Sequence, residues 1–123
     1  MTIMGAINHI DSVKPNGYGL PEKIKWLSTL DGIVKAEVID THEGGENISF
    51  KGYDEMTALT TELLIPHPYD EVYFRWLEAQ IDYANGEYGK YNNSITMYNT
   101  AYSAFERYYN KTHMPKAKNW THF

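Results

Sequence analysis

Between Pro68 and His113 apolar residues recur at three- and four-residue spacing. Tyr69, Val72, Tyr73, Trp76, Leu77, Ala79, Tyr83 and Ala84 form one series, and Tyr91, Ile95, Tyr98, Ala101, Tyr102, Phe105 and Tyr109 form a second. That is the period of an amphipathic α-helix, and no period-two alternation competes with it. Asp70 and Glu71 fall in the first turn of the first helix, and Lys111 and His113 in the last turn of the second, as the helix dipole favours. Gly86 and Gly89 punctuate the join. The pattern predicts a helical hairpin, with one long kinked helix as the alternative.

Upstream, Ile3 to Ile10 is a short apolar stretch that Asp11 and Ser12 would cap or end as a brief helix, before the turn-rich run KPNGYGLP. Pro21 and Glu22 suit a helix start, and Ile24, Leu27, Leu30, Val34 and Val38 then mark one apolar face. Lys23, Lys25, Lys35 and Glu37 fall mostly away from that face, and Trp26 lies off its main stripe. Gly32 inside this helix costs about 1 kcal/mol against alanine, so it marks a bend or a close approach by another helix.

Residues 41–67 lose the periodicity. Gly44, Gly45 and Gly52 interrupt them, ISFKGY suits an extended segment and MTALTTELL a short helix. A connection of this length in a compact domain is a partner-ordered loop or plain surface irregularity. Beyond His113, Pro115 ends the helix and MPKAKNWTHF has no period. Trp120 and Phe123 are costly to leave in water, which places this tail on a neighbouring subunit or another protein, a loose end being the alternative. The domain organisation is one helical domain, 1–113, with the irregular loop 41–67 inside it and an extended C-terminal tail, 114–123. The fold class is all-α: a small helical bundle built on a long C-terminal hairpin.

Composition sharpens this in three ways. Nine of the eleven tyrosines lie from Tyr69 to Tyr109, which suits either a core with wet edges or a surface that becomes buried on association. The absence of cysteine excludes a disulfide framework, a thiolate metal site and a thiol nucleophile. The start carries no signal-like pattern and no segment is long enough to span a bilayer, so a soluble protein made in the cytoplasm is expected. The net charge of −5 is uneven: the last thirteen residues hold Lys111, Lys116 and Lys118 without an acid, leaving the rest at −8. An acidic body argues against a broad DNA-binding face.

Chemistry is thinly represented. No phosphate loop, nucleophile elbow, zinc-binding helix, calcium loop or dinucleotide fingerprint occurs. His9, His42, His67, His113 and His122 are scattered, and His42 with Glu43 and Glu46 reads as a solvated turn, not a ligand cluster. Glu78 and Asp82, at i and i+4, read as polar-face carboxylates without the histidine partners of a di-iron bundle. Glu106 and Lys111 read as surface charges. Tyr69, Trp76, Tyr98 and Phe105 are assigned to the hairpin core. Asn99 either fixes helix register from a buried position or faces solvent. No enzyme, cofactor or metal is expected.

Several strings are family-like: KPNGY, KIKWLSTLDG, ELLIPHPYDEVY, EYGKYNN and RYYNKTHMP. Over residues 6 to 115 the chain resembles the head–tail connector proteins, also called adaptor or head-completion proteins, of tailed phages and prophages of Gram-positive bacteria. The resemblance implies a helical structural protein of the virion, assembled in the host cytoplasm. It would form a homo-oligomeric ring, commonly dodecameric, under the portal protein. That ring would extend the DNA channel, let DNA pass without sequence-specific binding, and dock the stopper or tail-completion protein, with no membrane contact. On it, Lys116, Lys118, Trp120 and Phe123 are expected to reach the portal or a neighbouring subunit, and Ile48, Phe50 and Tyr53 to make a subunit or tail-side contact. The rival expectation is a small helical regulatory or host-factor-binding module absent from the particle.

Overall fold

The computed structural model describes residues 1–117. Four α-helices follow one another: α1 (Ile3–Val13), α2 (Leu20–Glu37), α3 (Glu71–Ala84) and α4 (Tyr88–Thr112), with two short 3-10 turns, Ile39–Thr41 and Gly45–Asn47. Among the described residues there is no strand, only two isolated bridges, and no helix is long and apolar enough to cross a membrane.

The C-terminal pair is a hairpin and not one kinked helix, and the cause is local. Gly86 takes φ 73° just past the end of α3. Its N–H donates to the Tyr83 carbonyl and the Glu87 N–H donates to the Asp82 carbonyl. These paired bonds close the helix end around a left-handed residue, a conformation glycine adopts without steric cost. Gly89, by contrast, lies inside the first turn of α4. α4 then packs along α3, while α1 and α2 pack on α3 and on each other.

The apolar stripes behave as the spacing demands. Ile3, Ala6, Ile7 and Ile10 of α1 are buried, as are Ile24, Leu27, Leu30 and Val34 of α2 and Val38 just beyond it. Along the hairpin Tyr98 and Phe105 are buried, whereas Tyr69 and Trp76 are half-buried and pack against the core from its edge. Trp76 Nε1 donates to the Trp26 carbonyl at 2.8 Å, which ties the off-stripe part of α2 to α3.

The central segment departs from both local expectations. Neither ISFKGY nor MTALTTELL forms a regular element. Its polar backbone groups are shared between local turns and partners elsewhere in the chain, so a regular helix or strand is not needed to satisfy them. The Leu59 and Thr61 carbonyls accept from the Met4 and Ile3 N–H groups at the start of α1, both at 3.0 Å. Those are donors that a helix N-terminus leaves unpaired. Tyr53 N–H donates to Ser28 Oγ at 2.9 Å, and Leu63 and Ile65 are buried. At Gly32 the approaching element is this segment, not another helix: a methyl there would lie 3.8 Å from the Phe50 ring.

Candidate partner-binding surface

Three polar arrangements inside the bundle position the surfaces a partner would meet. The first centres on Asp31, which is fully buried on α2. Its carboxylate accepts from the Tyr53 hydroxyl at 2.5 Å, the Tyr73 hydroxyl at 2.7 Å and the Leu64 N–H at 3.0 Å. The Tyr73 hydroxyl in turn accepts from the Ile65 N–H at 2.7 Å. Burial raises the Asp31 carboxyl above its usual value despite these donors. Burial, with Asp31 alongside, also pushes both tyrosine hydroxyls up, so they stay neutral donors. Asp31 thus clasps the middle and the end of the central segment, at Tyr53 and Leu64, to α2. Position 31 continues the 24, 27, 34, 38 series at helical spacing, which is the signal that would have placed this acid inside.

His42 is the second, and here the expectation of a solvated turn is corrected. The ring is 4% exposed. Nδ1 donates to the Val38 carbonyl at 2.6 Å and Nε2 meets the Asn110 side-chain amide at 2.8 Å. The ring stands edge-on to Tyr109 at 4.8 Å and to His113 at 6.5 Å, and His113 stacks on the Tyr109 ring at 3.8 Å. Glu43 and Glu46 are exposed and take no part. His42 lies four residues beyond Val38, so it extends the α2 stripe, and that spacing was legible in the sequence. Among the described residues no group of three His, Asp or Glu is placed to hold a metal ion.

Asp82 is the third, and it also corrects the polar-face assignment. It is 2% exposed, paired with Lys14 at 2.7 Å, and it accepts from Ser94 Oγ at 2.9 Å. Glu78, one turn away, stays half-buried beside Arg75 at 3.5 Å. The depression around them, about 300 Å³, therefore presents charges that are already matched, with Lys90 on Glu87 at 2.7 Å.

The predicted contact residues separate accordingly. Ile48 is exposed, Phe50 is half-buried against Tyr53 at 5.1 Å, and Tyr53 commits its hydroxyl to Asp31. Lys116 is exposed and lies 4.0 Å from Glu46, a surface pair of little energetic weight. Lys118, Trp120 and Phe123 lie outside the described residues. The start of the tail is held by its own chain: Glu43 N–H donates to the Met114 carbonyl at 2.8 Å and Lys116 N–H to the Thr41 carbonyl at 2.9 Å, around a bridge between His42 and Pro115. The first residues of the tail are thus docked on the body of their own chain.

The tyrosines divide between core and surface. Tyr73, Tyr98, Tyr102 and Tyr109 are buried, and Trp76, Tyr98 and Tyr102 follow one another at ring spacings of 5.0 and 5.7 Å. Tyr83 and Tyr88 are exposed at the tip of the hairpin, 5.6 Å apart. Asn99 faces solvent on the outer side of α4 with Asn92, Asn93, Thr96, Thr100 and Ser103, so it does not fix register within the chain. At the opposite end of α2 a mainly apolar groove of about 340 Å³ is lined by Leu20, Pro21, Ile24, Glu55 and Leu59. Met56, next in sequence to Glu55, is 91% exposed.

These features define an all-α hairpin protein with internally clasped loops and a docked tail base. In comparisons with known proteins, no family model, no curated protein and no solved structure matches the chain.

Proposed function

We propose that this chain is a structural protein of tailed-phage particles, a head–tail connector. It assembles as a homo-oligomeric ring under the portal, lengthens the DNA channel and docks the stopper or tail. The observation that carries this is where the family-like strings fall. KPNGY forms the turn in which Asn16 Oδ1 accepts from the Tyr18 N–H at 3.1 Å and the Tyr18 hydroxyl reaches Asn85 at 2.7 Å. KIKWLSTLDG supplies Asp31 and the Trp26 carbonyl, and ELLIPHPYDEVY supplies Leu64, Ile65 and Tyr73 of the Asp31 clasp. RYYNKTHMP supplies Asn110, Tyr109 and the paired tail base. Four of the five strings on which the resemblance rests thus take part in tertiary contacts of this fold. A body at −8 also suits a channel through which DNA slides without tight phosphate contacts.

Deleting the gene from the phage or prophage that carries it, and imaging the lysate by electron microscopy, tests this. Heads that leak or have emptied, beside unattached tails, are the expected result. Intact, tailed, infectious particles would overturn it and favour a regulatory module. Truncation after Ala117 keeps the docked base, so it should leave the fold intact and abolish joining to the portal or to neighbouring copies.

A further inference from the structure

We propose that the apolar groove at the start of α2 receives the Trp120 region of a second copy's tail, so that copies join head to tail. This rests on the connector function proposed above, and names the acceptor site for one of its contacts. Three observations lead here. The groove is the most apolar depression described. Leu20, Pro21, Ile24 and Leu59 line it, and Leu20 remains 41% exposed although Ile24, Leu27, Leu30 and Val34 of the same helix are buried. An indole suits such a site, since it buries a large ring area and needs few partners.

Reach then excludes the chain's own Trp120. The tail is pinned where Lys116 N–H meets the Thr41 carbonyl, just past the C-terminal end of α2. The groove sits at the N-terminal end of that 18-residue helix, about 27 Å away at 1.5 Å per residue. Four residues from Lys116 to Trp120 span at most about 14 Å when extended. A copy displaced along the molecule removes that deficit.

Charge supplies the third. Glu55 lines the groove and exposed Glu22 lies beside Pro21, while the tail brings Lys116 and Lys118 with no acid after Lys111. Complementary charge of this kind sets orientation and speeds encounter. Because the donor tail and acceptor groove are different surfaces, the contact is heterologous and generates a ring when the rotation closes.

The lack of cysteine makes the test clean. Glu55→Cys in one full-length copy and Thr121→Cys in another, mixed and oxidised, should give a disulfide-linked dimer that neither copy gives with the other's wild type. With both substitutions in one chain, a ladder of linked multimers is expected. Adding Trp120→Ala should lower its yield at least about tenfold, the loss typical of truncating an interface aromatic. The paired variant carried in the phage gene reads the same contact in particles. Linked monomers alone would mean the tail folds back on its own groove, and would overturn the proposal. So would a ladder indifferent to Trp120→Ala, or no linkage in solution and in particles. Normal tailed particles that contain the protein without the linkage would sink the groove assignment but leave the connector function standing. Linkage in solution with the protein absent from particles would do the reverse.

Discussion

Tyr73→Phe and Tyr102→Phe remove the same atom from two buried tyrosines and should have opposite effects. The Tyr73 hydroxyl donates to Asp31 and accepts from the Ile65 N–H. Its loss leaves that N–H unpaired, at about 1–3 kcal/mol, and strips a charge-assisted bond from a buried carboxylate, at about 1.5–3 kcal/mol. Together the cost is about 3–5 kcal/mol against a domain stability on the order of 5–15 kcal/mol. The variant should stay folded at 25 °C and melt roughly 10–20 °C lower. The buried Tyr102 hydroxyl has no hydrogen-bond partner among the described residues. Tyr102→Phe removes a desolvated group that is not repaid and should be neutral or stabilising by up to about 1 kcal/mol. Urea unfolding followed by far-UV circular dichroism measures both, with unchanged slopes marking true stability differences. A Tyr73→Phe cost below about 1 kcal/mol, or a Tyr102→Phe cost matching it, would refute the accounting, since the clasp would then be no stronger than any buried hydroxyl.

Asp31 also predicts a pH dependence. Its carboxyl is raised from the usual 3.8 by burial, so the folded chain holds that proton more tightly than the unfolded one. The stability this group contributes is full below the unfolded value and is lost as pH rises through the folded value. Wild type should therefore gain on Asp31→Asn as the pH is lowered from 7 towards 4, in urea midpoints taken across that range; a shrinking difference would contradict the burial effect. Gly45→Ala tests the close packing of the two 3-10 turns: its methyl would collide with the Ile39 carbonyl and lie 3.1 Å from Asp40 Cα. Such overpacking should cost about 1–3 kcal/mol. Gly17→Ala, with nothing within 4 Å, should stay within about 0.5 kcal/mol in the same melting assay.

Much of the fold was written in local periodicity. The stripes of α2, α3 and α4 are one-dimensional signals, because a helix repeats its buried face every three to four residues whatever it packs against. The hairpin turn was legible as well, since Gly86 satisfies a purely local demand for a left-handed residue. What the sequence did not disclose is which distant partners let polar residues on those stripes turn inward. His42 and Asp82 read as loop and surface chemistry and Asp31 drew no reading, although the spacing of 31 and 42 on the α2 stripe was there to see, because a carboxylate or imidazole is buried only when partners arrive from distant segments. Tyr73, Tyr53 and Leu64 reach Asp31, Asn110 reaches His42, and Lys14 reaches Asp82. The central segment is irregular for a related reason: beyond its own turns, its backbone is satisfied by residues of α1, α2 and α3. The helices are properties of short stretches of chain. The clasps between them exist only once the chain has folded and long-range partners have replaced water.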